Sequence, residues 1–314
     1  MKPFLAGVLL TLAVSTLGYW FLLPAPVDVS VRVPIPENQP QVGARVGADV
    51  THGTLIAGTG QPSSLRGSWP QFRGSDRTAV AAGNSIAPSW ETQPPRTVWK
   101  VTLGEGHAGA AIHNGRVYVL DYDEENRADV LRCLSFDDGA EIWAFSYPVR
   151  VKRNHGMSRT VPAVNDHYVV GIGPMCHVYC LDATSGQQIW LKNMVTEYNT
   201  QVPEWYAGQC PLIEEDRVIL APGGKCLMTA VRLSDGSSIW ETPNPDNWQM
   251  THVSILPIQF EGNKQYVWCA SDGAVGVSAE TGELLWKLPD WKIKIAAIPS
   301  PVDLGQGKIF LSGG

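Results

Sequence analysis

Four times in this chain a glycine is followed four residues later by a tryptophan closing a short β-rich run. The copies are "LSFDDGAEIW" with Gly139 and Trp143, "LDATSGQQIW" with Gly186 and Trp190, "VRLSDGSSIW" with Gly236 and Trp240, and "VSAETGELLW" with Gly282 and Trp286. The tryptophans are 47, 50 and 46 residues apart. Self-similarity at such a period belongs to propellers and solenoids and has to be settled before any other pattern is read.

Three further β-rich runs precede each tryptophan strand. The second is the clearest: "RVYVLD" from Arg116, "HYVVGI" from His167, "RVILAP" from Arg217, "QYVWCA" from Gln265 and "KIFLSG" from Lys308. Each follows a turn cluster and a first run with small or proline residues, as in "TVPAV" and "IPSPV". Four short strands per unit, with no helical period between them, predict an all-β propeller of four-stranded blades rather than βαβ units. A rigid aromatic recurring on the last strand of each blade has an architectural job. It fills the wedge between neighbouring blades and buries ~150–250 Å² per copy.

These residues carry a family resemblance. The pattern Leu-Asp-Ala-x-x-Gly-x-x-Ile-Trp resembles the tryptophan-docking repeat of the PQQ-like β-propellers, which include quinoprotein alcohol dehydrogenases, BamB-like assembly lipoproteins and many bacterial extracytoplasmic proteins. "WPQFRGSDRTAV" from Trp69 and the segment from Val98 resemble the opening of the membrane-attached or secreted members. The resemblance covers residues 69–314 and speaks to fold, since one propeller hosts many unrelated activities. Four full units end at Trp286 and a fifth stops after its second strand. The chain is therefore expected to hold about four and a half blades of a seven- or eight-bladed ring.

Composition agrees: 31 Gly, 23 Pro and 12 Trp in 314 residues make a turn-rich globular chain. A net charge of −6 with pI near 5.6 provides no electrostatic footprint for nucleic acid. The N-terminus is a separate object. Residues 4–23 carry no charge and are long enough, at about 1.5 Å per residue, to cross a ~30 Å hydrocarbon core. Residues 1–23 are expected to anchor the protein in the inner membrane with the propeller on the periplasmic side, or to be cleaved as a signal, leaving it secreted. Residues 24–68 read as a Pro/Gly-rich linker in which "VDVSVRV" is a candidate strand.

The six cysteines do not form a disulfide framework by position. Cys133 and Cys180 stand at matching core places in successive units, and buried free thiols are expected, with Cys210–Cys226 the leading candidate for a bridge. No haem or zinc spacing occurs. The resemblance raises PQQ itself. In the dehydrogenases the quinone is held between a tryptophan floor and a disulfide of adjacent cysteines, above a calcium ion bound by Glu, Asn and Asp. This chain has no Cys-Cys dipeptide. Its acidic run "DYDEENRAD" from Asp121 lacks the pattern of a calcium loop and reads as a solvated hairpin. No cofactor and no metal site is expected, and a PQQ-dependent or other oxidoreductase is the alternative to a binding module.

What remains is polar residues just before the first strand of each unit, which in a propeller lines the channel. The lead-in loops read "GEGHAGA" with His107, "NHGMSR" with His155 and Arg159, "EWYAGQC" with Trp205, Tyr206 and Gln209, and "MTHVS" with His252 and Ser254. If the ring closes they converge on one mouth of the channel, where imidazole suits a metal and arginine a carboxylate or phosphate. The sequence thus points to a membrane-tethered extracytoplasmic propeller that binds a protein partner or small ligand at that mouth.

Overall fold

The computed structural model describes residues 50–65, 67–81, 89–91, 94–152, 156–293 and 296–313, together with Ser15 and Tyr19. The chain divides into two units, residues 1–45 and 46–314, and every element below belongs to the second. Among the described residues no helix is long and apolar enough to cross a membrane. The expected anchor, residues 4–23, and the candidate strand "VDVSVRV" lie outside the described residues apart from Ser15 and Tyr19.

Four antiparallel sheets follow one another along the chain, and within each the strands pair in sequence order. Blade 1 is β2 (Ala111–His113), β3 (Arg116–Asp123), β4 (Ala128–Ser135) and β5 (Glu141–Pro148). Blade 2 is β6 (Ala163–Val164), β7 (Tyr168–Ile172), β8 (His177–Asp182) and β9 (Gln188–Asn193). Blade 3 is β10 (Leu212–Glu214), β11 (Arg217–Leu220), β12 (Cys226–Arg232) and β13 (Ser238–Pro243), and blade 4 is β14 (Leu256–Phe260), β15 (Asn263–Ala270), β16 (Gly273–Ser278) and β17 (Leu284–Leu288). The pair β18 (Val302–Asp303) and β19 (Ile309–Phe310) begins a fifth sheet. Strand β1 (Thr54–Ala57), inside the expected linker, adds a fifth strand to blade 1 beside β5. A single-turn helix, α1 (Met194–Tyr198), follows blade 2, capped by the Asn193 side chain accepting from the Val195 N–H. The innermost strands β2, β6 and β10 are neighbours, and β18 lies beside β14.

In all four blades the glycine N–H of the repeated turn returns to the carbonyl four residues back. In blade 2 the Asp182 carboxylate accepts from the Ser185 N–H at 2.7 Å, and the Gly186 N–H returns to the Asp182 carbonyl at 2.9 Å. Gly186 has φ +74°, and Gly139, Gly236 and Gly282 have φ between +72° and +74°. Each turn is followed by a register shift in the third-to-fourth strand pairing. Glycine is also demanded sterically, because a Cβ at Gly186 would lie 2.6 Å from Trp143 Cδ2 in blade 1. Trp190 meets Gly236 and Trp240 meets Gly282 in the same way, so each tryptophan lies against the turn of the next blade. Trp143 and Trp190 donate their indole N–H to the Thr184 and Leu233 carbonyls at 3.1 and 2.8 Å. Trp286 differs: it donates to Gln265 of its own blade at 3.1 Å. The apolar cores accordingly lie between consecutive sheets, each holding one of Trp143, Trp190 and Trp240.

A further copy is Trp99, 44 residues before Trp143. Its N–H donates to the Phe136 carbonyl at 3.0 Å, and a Cβ at Gly139 would meet its ring at 2.7 Å. It covers the face of blade 1 that carries Val117, Val119 and Leu134, opposite blade 2.

One reading is corrected. The acidic run from Asp121 is not wholly solvated, because β3 and β4 extend through it; only the tip is exposed, while Asp121 and Asp129 are each 1% exposed. Cys176 sits in the turn ahead of β8, at φ +64°. All six cysteines are buried and free, Cys210 and Cys226 included.

Candidate functional site

The segment from Trp69 runs along the channel side of the blades. The N–H and carbonyl of Trp69 pair with those of Ile112 in β2, and the Pro70 carbonyl accepts from the Val164 N–H in β6 at 2.8 Å. Farther along, the Arg77 guanidinium is 2% exposed and donates from Nη1 to the Ile255 carbonyl at 2.7 Å and from Nη2 to the Pro211 carbonyl. One short segment thus contacts the innermost strands of blades 1 and 2 and the residues that lead into those of blades 3 and 4. Burial depresses the Arg77 pKa to about 10, partly offset by Cys210 and Glu214, and the side chain stays charged at neutral pH.

Above this segment lies a cavity of about 380 Å³. Its floor includes Phe72, and its walls come from the lead-in loops: His107 and Gly109 before β2, Arg159 and Val161 before β6, Trp205, Gly208 and Cys210 before β10, His252 and Ser254 before β14, and Ile298 and Ser300 before β18. Of the residues singled out in the sequence, His107, Arg159, Trp205, His252 and Ser254 share this cavity.

Tyr206 and Gln209 do not line it. Tyr206, at φ +69°, donates its hydroxyl to the Lys152 carbonyl. Gln209 is fully buried and bonds both the N–H and the carbonyl of Ala221, at 2.9 and 3.2 Å. A buried amide must satisfy both ends, and the Ala221 main chain supplies a partner for each. His155 lies outside the described residues. Sequence reasoning missed Phe72, Val161, Cys210, Ile298 and Ser300. "AAIPSPV" stands where the other lead-in loops stand and carried the signal for Ile298 and Ser300, whereas Phe72 had none.

The local geometry is close-fitting. Gly156, at φ +84°, lets the His107 ring approach so near that a Cβ there would lie 2.1 Å from its Cδ2. The His107 N–H donates to the Ser158 carbonyl at 2.8 Å, and Arg159 Nη2 donates to the Gly156 carbonyl. The Trp205 and His252 rings stack with centroids 6.1 Å apart and planes at 28°. Ser254 Oγ accepts from the Cys210 N–H at 3.0 Å. Burial, aided by the nearby Arg159 charge, pushes the His252 pKa below its ordinary value, so the ring is neutral at pH 7. Burial also lowers Arg159 and raises the Cys210 thiol, which is therefore not an activated nucleophile. Among the described lining residues Arg159 is the one permanent charge, and none of them is a carboxylate.

A quinone site of the dehydrogenase type does not fit these residues. Such a site needs adjacent cysteines and acidic calcium ligands. The described lining offers one thiol, and the described residues hold no cluster of three metal-ligating side chains.

Residues 126–292, more than half of the chain, match the family described as outer membrane protein assembly factor BamB. No curated protein sequence matches the chain. Among solved structures, BamB from Moraxella catarrhalis is 17% identical with a TM-score of 0.45, over 62% of this chain and 55% of that one. The quinohemoprotein alcohol dehydrogenase from Comamonas testosteroni is 14% identical with a TM-score of 0.50, over 77% of this chain and 45% of the other. A europium-containing methanol dehydrogenase is 14% identical with a TM-score of 0.44, over 59% and 42%. The chain spans just over half the length of that BamB and under half that of either dehydrogenase. At such identities the likeness concerns fold alone.

Proposed function

The chain belongs to the BamB family of PQQ-like β-propellers, and from that premise we propose that it is an extracytoplasmic binding or scaffold module whose working surface is the mouth of the channel. The observation that carries the reading is the convergence of five successive lead-in loops on one floored cavity. Loops held by a rigid scaffold are where binding residues collect. A half-buried guanidinium, neutral imidazole and hydroxyls in an otherwise apolar lining suit an anionic group, a carboxylate or phosphate, on a small ligand or on a partner's side chain. Trp143, Trp190 and Trp240, with Gly186, Gly236 and Gly282, serve the architecture by docking one blade on the next.

Calorimetric titration of the purified protein with phosphate, small organic carboxylates and an acidic peptide tests this. At least one of them should bind, and Arg159→Ala and His252→Ala should weaken it about tenfold or more, or ~1.4 kcal/mol. The same substitutions should change unfolding free energy by about 1 kcal/mol or less. No binding across the set, or equal binding by the variants, removes the reading.

Residues 4–23 are proposed to tether the propeller to the inner membrane. The full-length protein should then stay with membranes through a high-salt wash, because its attachment is apolar rather than ionic. A soluble mature form starting near residue 25 would identify a cleaved signal instead.

A further inference from the structure

Behind the mouth, between blades 1 and 2, lies a buried polar cluster that the cavity does not include. Asp129 on β4 accepts from the Ser158 hydroxyl at one carboxyl oxygen and from the Tyr147 hydroxyl of β5, at 3.2 Å, at the other. Tyr147 in turn contacts the rings of His177 and Tyr179 on β8, at centroid distances of 5.2 and 5.7 Å. Asp121 and Tyr122 on β3 complete the titratable groups facing Asp129. Arg132 is bonded to Asp121 at 2.9 Å, so the described ion pairs place that cation on the other carboxylate. Gly173 closes the cluster so tightly that a Cβ there would lie 2.7 Å from Asp129 Oδ2.

Ser158 joins this cluster to the mouth. Its hydroxyl faces Asp129, its carbonyl holds the His107 N–H, and the next residue is Arg159. We propose that the Asp129 carboxyl is a proton-operated latch on the mouth loop: protonated, it keeps Ser158 and hence Arg159 and His107 in place, and ionised, it draws water between blades 1 and 2 and loosens them. A protonated carboxyl gives one hydrogen bond to a hydroxyl and takes one from the other, so both of its oxygens are satisfied without a buried charge. The ionised form leaves a full charge there, beside a second carboxylate. Burial pushes the Asp129 pKa up to about 7, with Asp121 adding to the rise and the Ser158 and Tyr147 hydrogen bonds opposing it. A carboxyl raised on folding stabilises the closed arrangement fully below its ordinary pKa of about 4, and that stability is lost as pH rises through the folded value. The window therefore runs from about pH 4 up to about 7. The latch rests on the reading of the mouth as the working surface, and regulates it.

Amide hydrogen exchange of the full-length protein, without ligand, tests the latch between roughly pH 5.5 and 8.5, on either side of the Asp129 midpoint. After correction for intrinsic exchange, protection of residues 156–161 should fall about tenfold per pH unit as pH rises toward the midpoint and level off above it, where both arrangements are ionised. In Asp129→Asn it should stay within about twofold across the range. Peptides from β12 and β15 should not change in either protein. In Ser158→Ala, which cuts the tie, the mouth loop should be poorly protected at every pH, and this variant decides the matter should Asp129→Asn fail to fold. A flat wild-type profile, the same fall in either variant, or a parallel loss in β12 and β15 overturns the latch. None of these results bears on anion binding at the cavity, which the titration decides separately.

Discussion

Trp190→Ala is expected to cost about 3–5 kcal/mol and to threaten folding, the largest effect of any single truncation in the blades. The side chain is 7% exposed, in the core between blades 2 and 3. Its indole N–H holds the Leu233 carbonyl at 2.8 Å, and Gly236 leaves room for its ring. Truncation removes the largest side chain of the core between the two sheets and opens a cavity that flanking strands, pinned by their own ladders, cannot collapse. It also leaves the Leu233 carbonyl with the weak Cys180 thiol donor, at 3.5 Å, in place of the indole. Denaturant unfolding should show the loss as a lower midpoint at an unchanged slope. Trp190→Phe should recover more than half of it, keeping the area and losing the hydrogen bond. Gly236→Ala should be destabilising from the other side of the same contact, since it meets both a positive φ and the ring.

Arg77→Ala is expected to be the second large effect, roughly 2–6 kcal/mol at about 1–3 kcal/mol for each of the two buried carbonyls it strands, those of Ile255 and Pro211. Arginine is suited to this place because its planar fork reaches two blades at once, whereas an ammonium is a point donor on a flexible stem. Arg77→Lys should therefore rescue little. Since Trp69, Pro70 and Arg77 together fasten one segment to four blades, limited proteolysis should first cut Arg77→Ala between residues 67 and 81. Cutting elsewhere at an unchanged rate would mean the segment is held by other contacts.

The propeller was legible because its signals are local and repeated. A positive-φ glycine, an aspartate or serine capping the turn and a tryptophan four residues on are all fixed by one hairpin and its neighbour. Trp99 escaped the pattern because Pro95 stands where the other copies have glycine. The spacing before Trp143 was the remaining clue. The mouth was legible for a related reason: equivalent loops of equivalent units must converge when sheets are arranged about an axis, and five of the eight residues named from sequence do. Tyr206 and Gln209 were not separable from them, because whether a polar side chain turns to a cavity or to a nearby main chain depends on distances no sequence pattern carries.

Phe72 and Arg77 were illegible in a stronger sense. Their segment has no period, and the Arg77 guanidinium finds carbonyls more than 130 residues away. Asp129 was misplaced with its acidic neighbours because charge runs are usually solvated, and only the extension of β3 and β4 through the run separates the buried carboxyls from the exposed tip.

If the blade contacts carry stability and the channel mouth carries function, native mass spectrometry of the full-length protein isolated from its native host, paired with melting, tests that division most directly. Wild-type protein should carry a bound ligand or partner. Arg159→Ala should lose it while melting within about 2–4 °C of wild type, the shift expected for 1 kcal/mol or less in a chain of this size. Trp190→Ala should melt far lower. If Arg159→Ala keeps the bound species in full, or melts as low as Trp190→Ala, the mouth is structural and the division is wrong.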